Sequence, residues 1–124
     1  MRTAFCIALV SSFIAAAPAS ANEVETGAVM ICDTQQQAER LGQLFEGKAQ
    51  AAIAAINTEQ NNPNACGVAD VAYVQGRVLG TVRSKSHTFH VIPIIVYGVN
   101  TPAGFQAATS TVFFTLVQVK EWSI

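Results

Sequence analysis

Apolar residues recur along this chain in three rhythms. The first is a nearly unbroken run from Ala4 to Ala17, softened only by Ser11 and Ser12. The second is helical. Between Thr34 and Gln60, Ala38, Leu41 and Phe45 return at intervals of three and four, and Ala49, Ala52, Ile53 and Ile56 continue the stripe. Glu39, Arg40, Gln43, Glu46 and Gln50 take the opposite side. Asp33 and Thr34 are good N-caps, and Gln36 and Gln37 follow each by three residues, the spacing of a capping box. Gly47 interrupts the stripe. An interior Gly costs about 1 kcal/mol relative to Ala, so a kink or a break into two helices is expected there. Asn61-Asn62-Pro63-Asn64 favours a turn and ends the helical stretch.

The third rhythm is that of strands. Val24 to Ile31 reads as a strand that ends at Cys32. Val68–Val74, Arg77–Arg83 and His87–Val99 read as three more, separated by turns at Gln75-Gly76 and Ser84-Lys85-Ser86. Gly98 to Ser110, with Pro102 and Gly104, reads as a longer loop, and Thr111–Lys120 as the final strand. The last two strands are apolar on both alternating sets. Phe89, Val91, Ile95 and Tyr97 share one face, and Ile92, Ile94 and Val96 the other. Such a strand is central, or its sheet curls into a small barrel. Pro93 cannot donate to a ladder, which calls for a bulge or an edge position. The expected fold is α+β. An N-terminal strand and one helix, continuous or broken at Gly47, pack on an antiparallel meander sheet or small barrel of four to five strands.

The first apolar run has a different meaning. Arg2 precedes it, and Ala19-Ser20-Ala21 follows it as a small-x-small site. Together these make a cleavable secretory signal over residues 1–21. A spanning helix needs about 20 apolar residues, and this run is shorter and ends at Pro18. Cys6 lies inside the run, not at the cut, which argues against a lipid anchor. Residues 22–124 are therefore expected to form a single exported α+β domain, with no transmembrane segment left after cleavage. The short, Ala-rich signal points to a bacterial source and a periplasmic or secreted place.

Composition sharpens the picture in two ways. Seven Lys+Arg against eight Asp+Glu give a net charge of −1, and Arg2 leaves with the signal. That balance excludes the basic footprint of a nucleic-acid binder. Of three cysteines, Cys6 also leaves, so Cys32 and Cys66 remain. In an oxidising compartment two cysteines read most simply as one disulfide, with a metal pair or a free thiol as the alternatives. The bridge would pin both ends of the helical segment to the sheet.

Ile31-Cys32-Asp33-Thr34 before a Gln-rich helix start, Asn64-Ala65-Cys66-Gly67 before the hairpins, and Phe113-Phe114 leading to Val119-Lys120-Glu121 form a pattern over most of residues 22–124. This pattern resembles a group of small uncharacterised exported proteins of alphaproteobacteria. The resemblance implies a bacterial source and a periplasmic place. It implies no activity and transfers no functional residue.

Candidate chemistry is thin. His87 and His90 form H-x-x-H and, with Cys32 and Cys66, offer zinc-type ligands. Residues three apart on a strand point to opposite faces, and a disulfide would consume both thiols, so no metal is assigned. Ser84, Ser86, His87 and Asp70 lie in one half of the chain without the strained turn that exposes a nucleophilic serine. No catalytic residue is assigned. Glycine-rich phosphate loops are absent from the sequence, and no cofactor is assigned. Arg77, Arg83, Lys85, His87 and His90 gather in one predicted hairpin. They are candidate contacts for an anionic partner, although a charged hairpin tip also serves to keep an edge from pairing. Phe105, on the predicted loop, is a further candidate contact. The reading is a non-catalytic periplasmic or secreted module that binds a partner protein or an anionic envelope component. The alternatives are a small hydrolase or metal-handling protein using His87 and His90, and a structural or stress-related envelope protein.

The exported protein is expected to begin at Asn22. Intact-mass measurement checks this, and a mass that starts at Met1 removes the signal assignment.

Overall fold

The computed structural model describes residues 23–120. The expected signal, residues 1–21, and its cut before Asn22 lie outside the described residues. The elements are β1 (Glu25–Cys32), α1 (Gln35–Leu44), α2 (Ala49–Glu59), β2 (Cys66–Gln75), β3 (Gly80–Arg83), β4 (Thr88–Thr101) and β5 (Gly104–Gln118). The class is α+β, as the sequence indicates.

Thr34 starts α1 with the expected capping box. Its side chain accepts from the Gln37 amide at 3.1 Å, and the Gln37 side chain accepts from the Thr34 amide at 3.0 Å. Two of the orphan donors at the helix start are thereby satisfied. The helical stretch does break at Gly47, which adopts φ +103°. That left-handed conformation is cheap only for glycine, and it lets α2 turn back against α1. Arg40 clasps Glu59 across the pair with two short hydrogen bonds, Nε to Oε1 at 2.8 Å and Nη2 to Oε2 at 2.7 Å. The pair is exposed, so salt screens it and its contribution to stability is small.

All strand pairings are antiparallel. β4 is the hub. Its whole length pairs with β5 on one side, while β3 and then β2 line its other side. β1 pairs along β2 and also reaches β5, where Ile31 and Cys32 lie opposite Thr115 and Phe114. The pairings β1–β2–β4–β5–β1 thus close a ring. The curl gives the sheet two apolar faces, and this explains why both alternating sets of β4 are hydrophobic. Ile94 and Val96 point into the ring with Val71 and Tyr73, packed by Val29, Ile31, Ala69 and Phe113. Phe89 and Val91 point outward to Leu116 and the helix residues Ala38, Leu41, Ala52, Ile53 and Ile56. Leu41 and Ile56 are almost wholly buried. Each such side chain contributes about 1.5–3 kcal/mol relative to an exposed one.

Two features depart from the sequence reading. The predicted strand from Arg77 shrinks to Gly80–Arg83, and the predicted turn at Gln75-Gly76 does not reverse the chain: β2 and β3 both run antiparallel to β4 along one edge, with residues 76–79 as an irregular link between them. Pro93 supplies the reason. Gly76 donates to the Pro93 carbonyl at 2.8 Å, so the Pro93 nitrogen faces this same edge, where it has no proton to offer. The neighbouring strand is interrupted where the ladder would lack a donor. The second departure is the predicted loop at 98–110, which is instead a β-hairpin. Thr101 closes its turn: Thr101 Oγ1 donates to the Gly104 carbonyl at 2.8 Å and accepts from the Ala103 amide at 3.2 Å. Gly104 takes φ +118°. Ala107 to Thr111 carry little hydrophobic signal, yet they continue β5 beside β4, with register shifts around Tyr97.

Cys32 and Cys66 are direct cross-strand partners and form the expected disulfide, 34 residues apart in sequence. For a loop of that size the chain-entropy model gives about 3–4 kcal/mol. Asn57, near the end of α2, holds the approach to Cys66. Its Nδ2 donates to the Pro63 carbonyl at 2.9 Å and the Cys66 carbonyl at 3.1 Å, and its Oδ1 accepts from the Cys66 amide at 2.9 Å. Asn57→Ala is expected to cost about 1–3 kcal/mol, because part-buried backbone groups lose their partners. Urea unfolding with the disulfide intact measures it, and an unchanged midpoint contradicts the assigned role.

Candidate functional site

The outer face of the sheet is only half covered. A helix of 10 residues is about 15 Å long, at ~1.5 Å per residue. β4, with 14 residues, runs about 46 Å at ~3.3 Å per residue. The helices cover the end holding Phe89, Val91, Phe114 and Leu116. Beyond them the same face goes on bare. Val74, Ile95 and Val112 form one cross-strand row over β2, β4 and β5. Pro93 and Tyr97 flank Ile95 along β4, and the five line a shallow groove of about 520 Å³ with Gln75 and Gly76. No charged side chain lines it. The exposures are high for apolar residues at the middle of a sheet: Ile95 37%, Tyr97 40% and Val112 53%.

Phe105 extends the bare surface. It lies on β5, not on a loop, and is 56% exposed. Its ring sits on Gly98. A Cβ at Gly98 would collide with the Phe105 ring and come within 2.9 Å of the Gln106 carbonyl oxygen. Gly98 is needed here for close approach.

The basic candidates are not brought to one place. Arg77 is exposed in the irregular 76–79 segment beside Pro93, whereas Arg83 is exposed opposite Thr88. These points on β4 are about 16 Å apart at ~3.3 Å per residue. Lys85 is exposed in the β3–β4 turn. His87 is half-buried beside that turn. Its ring meets Phe45 edge-on at 5.0 Å and stacks over Phe89 at 6.0 Å. His87 Nδ1 lies 2.7 Å from Ser86 Oγ. His90 belongs to the other face of β4, in a row with Thr81 and Val117. The two histidines therefore do not converge. Among the described residues, no three His, Cys, Asp or Glu side chains are grouped to hold a metal ion. The Ser86–His87 contact lacks a carboxylate partner among the described residues, so no nucleophile–base–acid set is assembled there.

Val74, Pro93, Ile95, Tyr97 and Val112 escape sequence reasoning as contacts. Their alternation marks them as buried, and only the short length of the helices leaves them bare. Among the described residues, no helix is long and apolar enough to cross a membrane. The chain matches no known family model, no curated protein and no solved structure.

One titrating group sits on the inner face of the sheet. Tyr73, inside the ring, has its hydroxyl pushed above the usual tyrosine range by burial and by the Glu25 carboxylate, 3.4 Å away. The folded state therefore holds this proton more tightly than the unfolded chain. The associated stability is complete below the ordinary value near ~10 and is lost as pH climbs through the raised one. Ultraviolet titration should show one of the two tyrosines ionising late, and Tyr73→Phe should remove that late step. Two tyrosines that titrate together contradict the assignment.

Proposed function

We propose that this protein is a non-catalytic, exported recognition module that binds a partner protein through the bare half of its outer sheet face. The observation that carries the reading is the uncharged row Val74–Ile95–Val112, with Tyr97 and Phe105 beside it, left open on a rigid sheet. Exposed contiguous apolar surface of this kind marks interaction sites, and aromatic anchors on rigid elements are the residues that carry binding energy. The disulfide suits a periplasmic or secreted setting. An anionic envelope component has weaker support. It would need the basic residues to act together, and they are strung along the sheet edge.

A photo-activated cross-linking residue placed at Val112, in cells that export the protein, tests the reading. Thr81, exposed on β3 and away from the groove, is the control position. Discrete protein adducts are expected at Val112 and none above background at Thr81. Equal labelling at both positions, or none at Val112, overturns the reading.

A further inference from the structure

We infer that the occupant of this bare face is the same face of a second copy of the chain. The inference rests on the reading of that face as a contact surface, and it names the partner.

Charge makes the first argument. A two-fold axis sets each patch against a copy of itself, so any charge in it that lacks an opposite charge in the same patch would be repelled or buried unpaired. The groove carries none, and its polar lining residues are Gln75 and, through its hydroxyl, Tyr97. A charged partner or a lipid headgroup layer would find nothing complementary there, whereas a second copy meets no like-charge conflict. Once Arg2 leaves with the signal, six Lys+Arg stand against eight Asp+Glu, a net charge of about −2, so long-range repulsion between copies is slight.

Shape makes the second. The face holds both a hollow and a projection. The groove beside Ile95 is the hollow, and Phe105, propped on Gly98, is the projection. A two-fold interface needs such a self-complementary set, because if one residue meets a second, the second also meets the first. Two sheet faces packed about 10 Å apart interdigitate their side chains in this way.

Size is adequate. With strands ~4.8 Å apart and same-face residues ~6.7 Å apart, the patch from Val74 to Phe105 spans roughly 15 by 20 Å. That area, roughly 300 Å², supplies the apolar centre of an interface, which in a standard-sized complex buries about 800 Å² per partner, with Gln75 at the groove's edge. Pairing through the free edge of β5 is a poorer way to join copies. Between Thr111 and Ala107, three residues of β5 stand opposite Tyr97 alone, and a bulge of that kind bends an edge away from strand addition.

Sedimentation equilibrium of the purified protein up to about 100 µM, a range that captures micromolar dissociation constants, tests the proposal. Wild type is expected to reach twice the monomer mass. Val112→Lys should weaken association at least ~30-fold, and so should Tyr97→Ser. Both residues are exposed, and far-ultraviolet circular dichroism confirms that each variant is folded. Val68→Lys alters a similarly exposed valine outside the patch and should leave association unchanged. A wild-type monomer throughout this range overturns the second copy as occupant. If Val112 still cross-links to other proteins, the contact surface stands and only its occupant was wrong. A monomer without any cross-links removes both. A dimer that survives Val112→Lys and Tyr97→Ser also overturns the proposal, because its interface lies elsewhere.

Discussion

The closure of the ring at Cys32 is the constraint on which the rest of the structure depends. β1 reaches β5 through only two residue pairs, Ile31–Thr115 and Cys32–Phe114. Two pairs are a slender seam for strands more than 80 residues apart. One side-chain bond reinforces it, from the Thr115 hydroxyl to the Met30 carbonyl. On the other side of β1, the Asp33 amide donates to the Ala65 carbonyl at 3.1 Å and the disulfide joins β1 to the start of β2, so the strand that makes the seam is itself held in place. The seam also fixes where the helices begin, because Thr34 caps α1 two residues after Cys32. Both hydrophobic clusters meet there: Cys32 belongs to the outer one and Ile31 packs on the inner one. Opening the seam would expose both at once.

The same arrangement produces the asymmetry of the outer face. The disulfide and the Asn57 clasp tether both ends of the helical pair to one end of the sheet. Held at that end and broken at Gly47, the helices cannot slide along β4 to shelter Ile95 and Tyr97. The apolar surface left bare is thus a consequence of covalent and hydrogen-bonded anchoring, not of weak hydrophobicity in the helices.

Much of this was legible in the residues. The N-cap at Thr34, the break at Gly47, the disulfide and the double-sided apolar character of β4 all follow from local chemistry with short reach. The ring was only one of two readings of the β4 pattern, because periodicity reports that both faces are buried without saying by what. The β4–β5 hairpin is illegible in the sequence for a definite reason. Ala107, Ala108, Thr109 and Ser110 alternate nothing hydrophobic with nothing charged, and they run as strand because the paired residues Ala107 and Thr111 hold them beside β4, not because they are buried. The candidate site was the least legible part. Ile95 and Val112 have the sequence signature of core residues, and their exposure depends on helix length measured against strand length, a quantity that appears only after the elements are docked. The sequence puts Arg77 on a strand, because the effect of Pro93 on its neighbour cannot be located without the register.

The contact between Phe105 and Gly98 has an evolutionary corollary. Neither position can drift alone. Any side chain at Gly98 displaces the aromatic ring, and a small residue at Phe105 uncovers the glycine backbone beneath it. Descendants of this sequence should therefore change the two positions together, exchanging bulk from one strand to the other. Such a correlated exchange would be recognisable in diverged copies long after the rest of the β5 arm, with its interchangeable Ala, Ser and Thr residues, had lost its similarity.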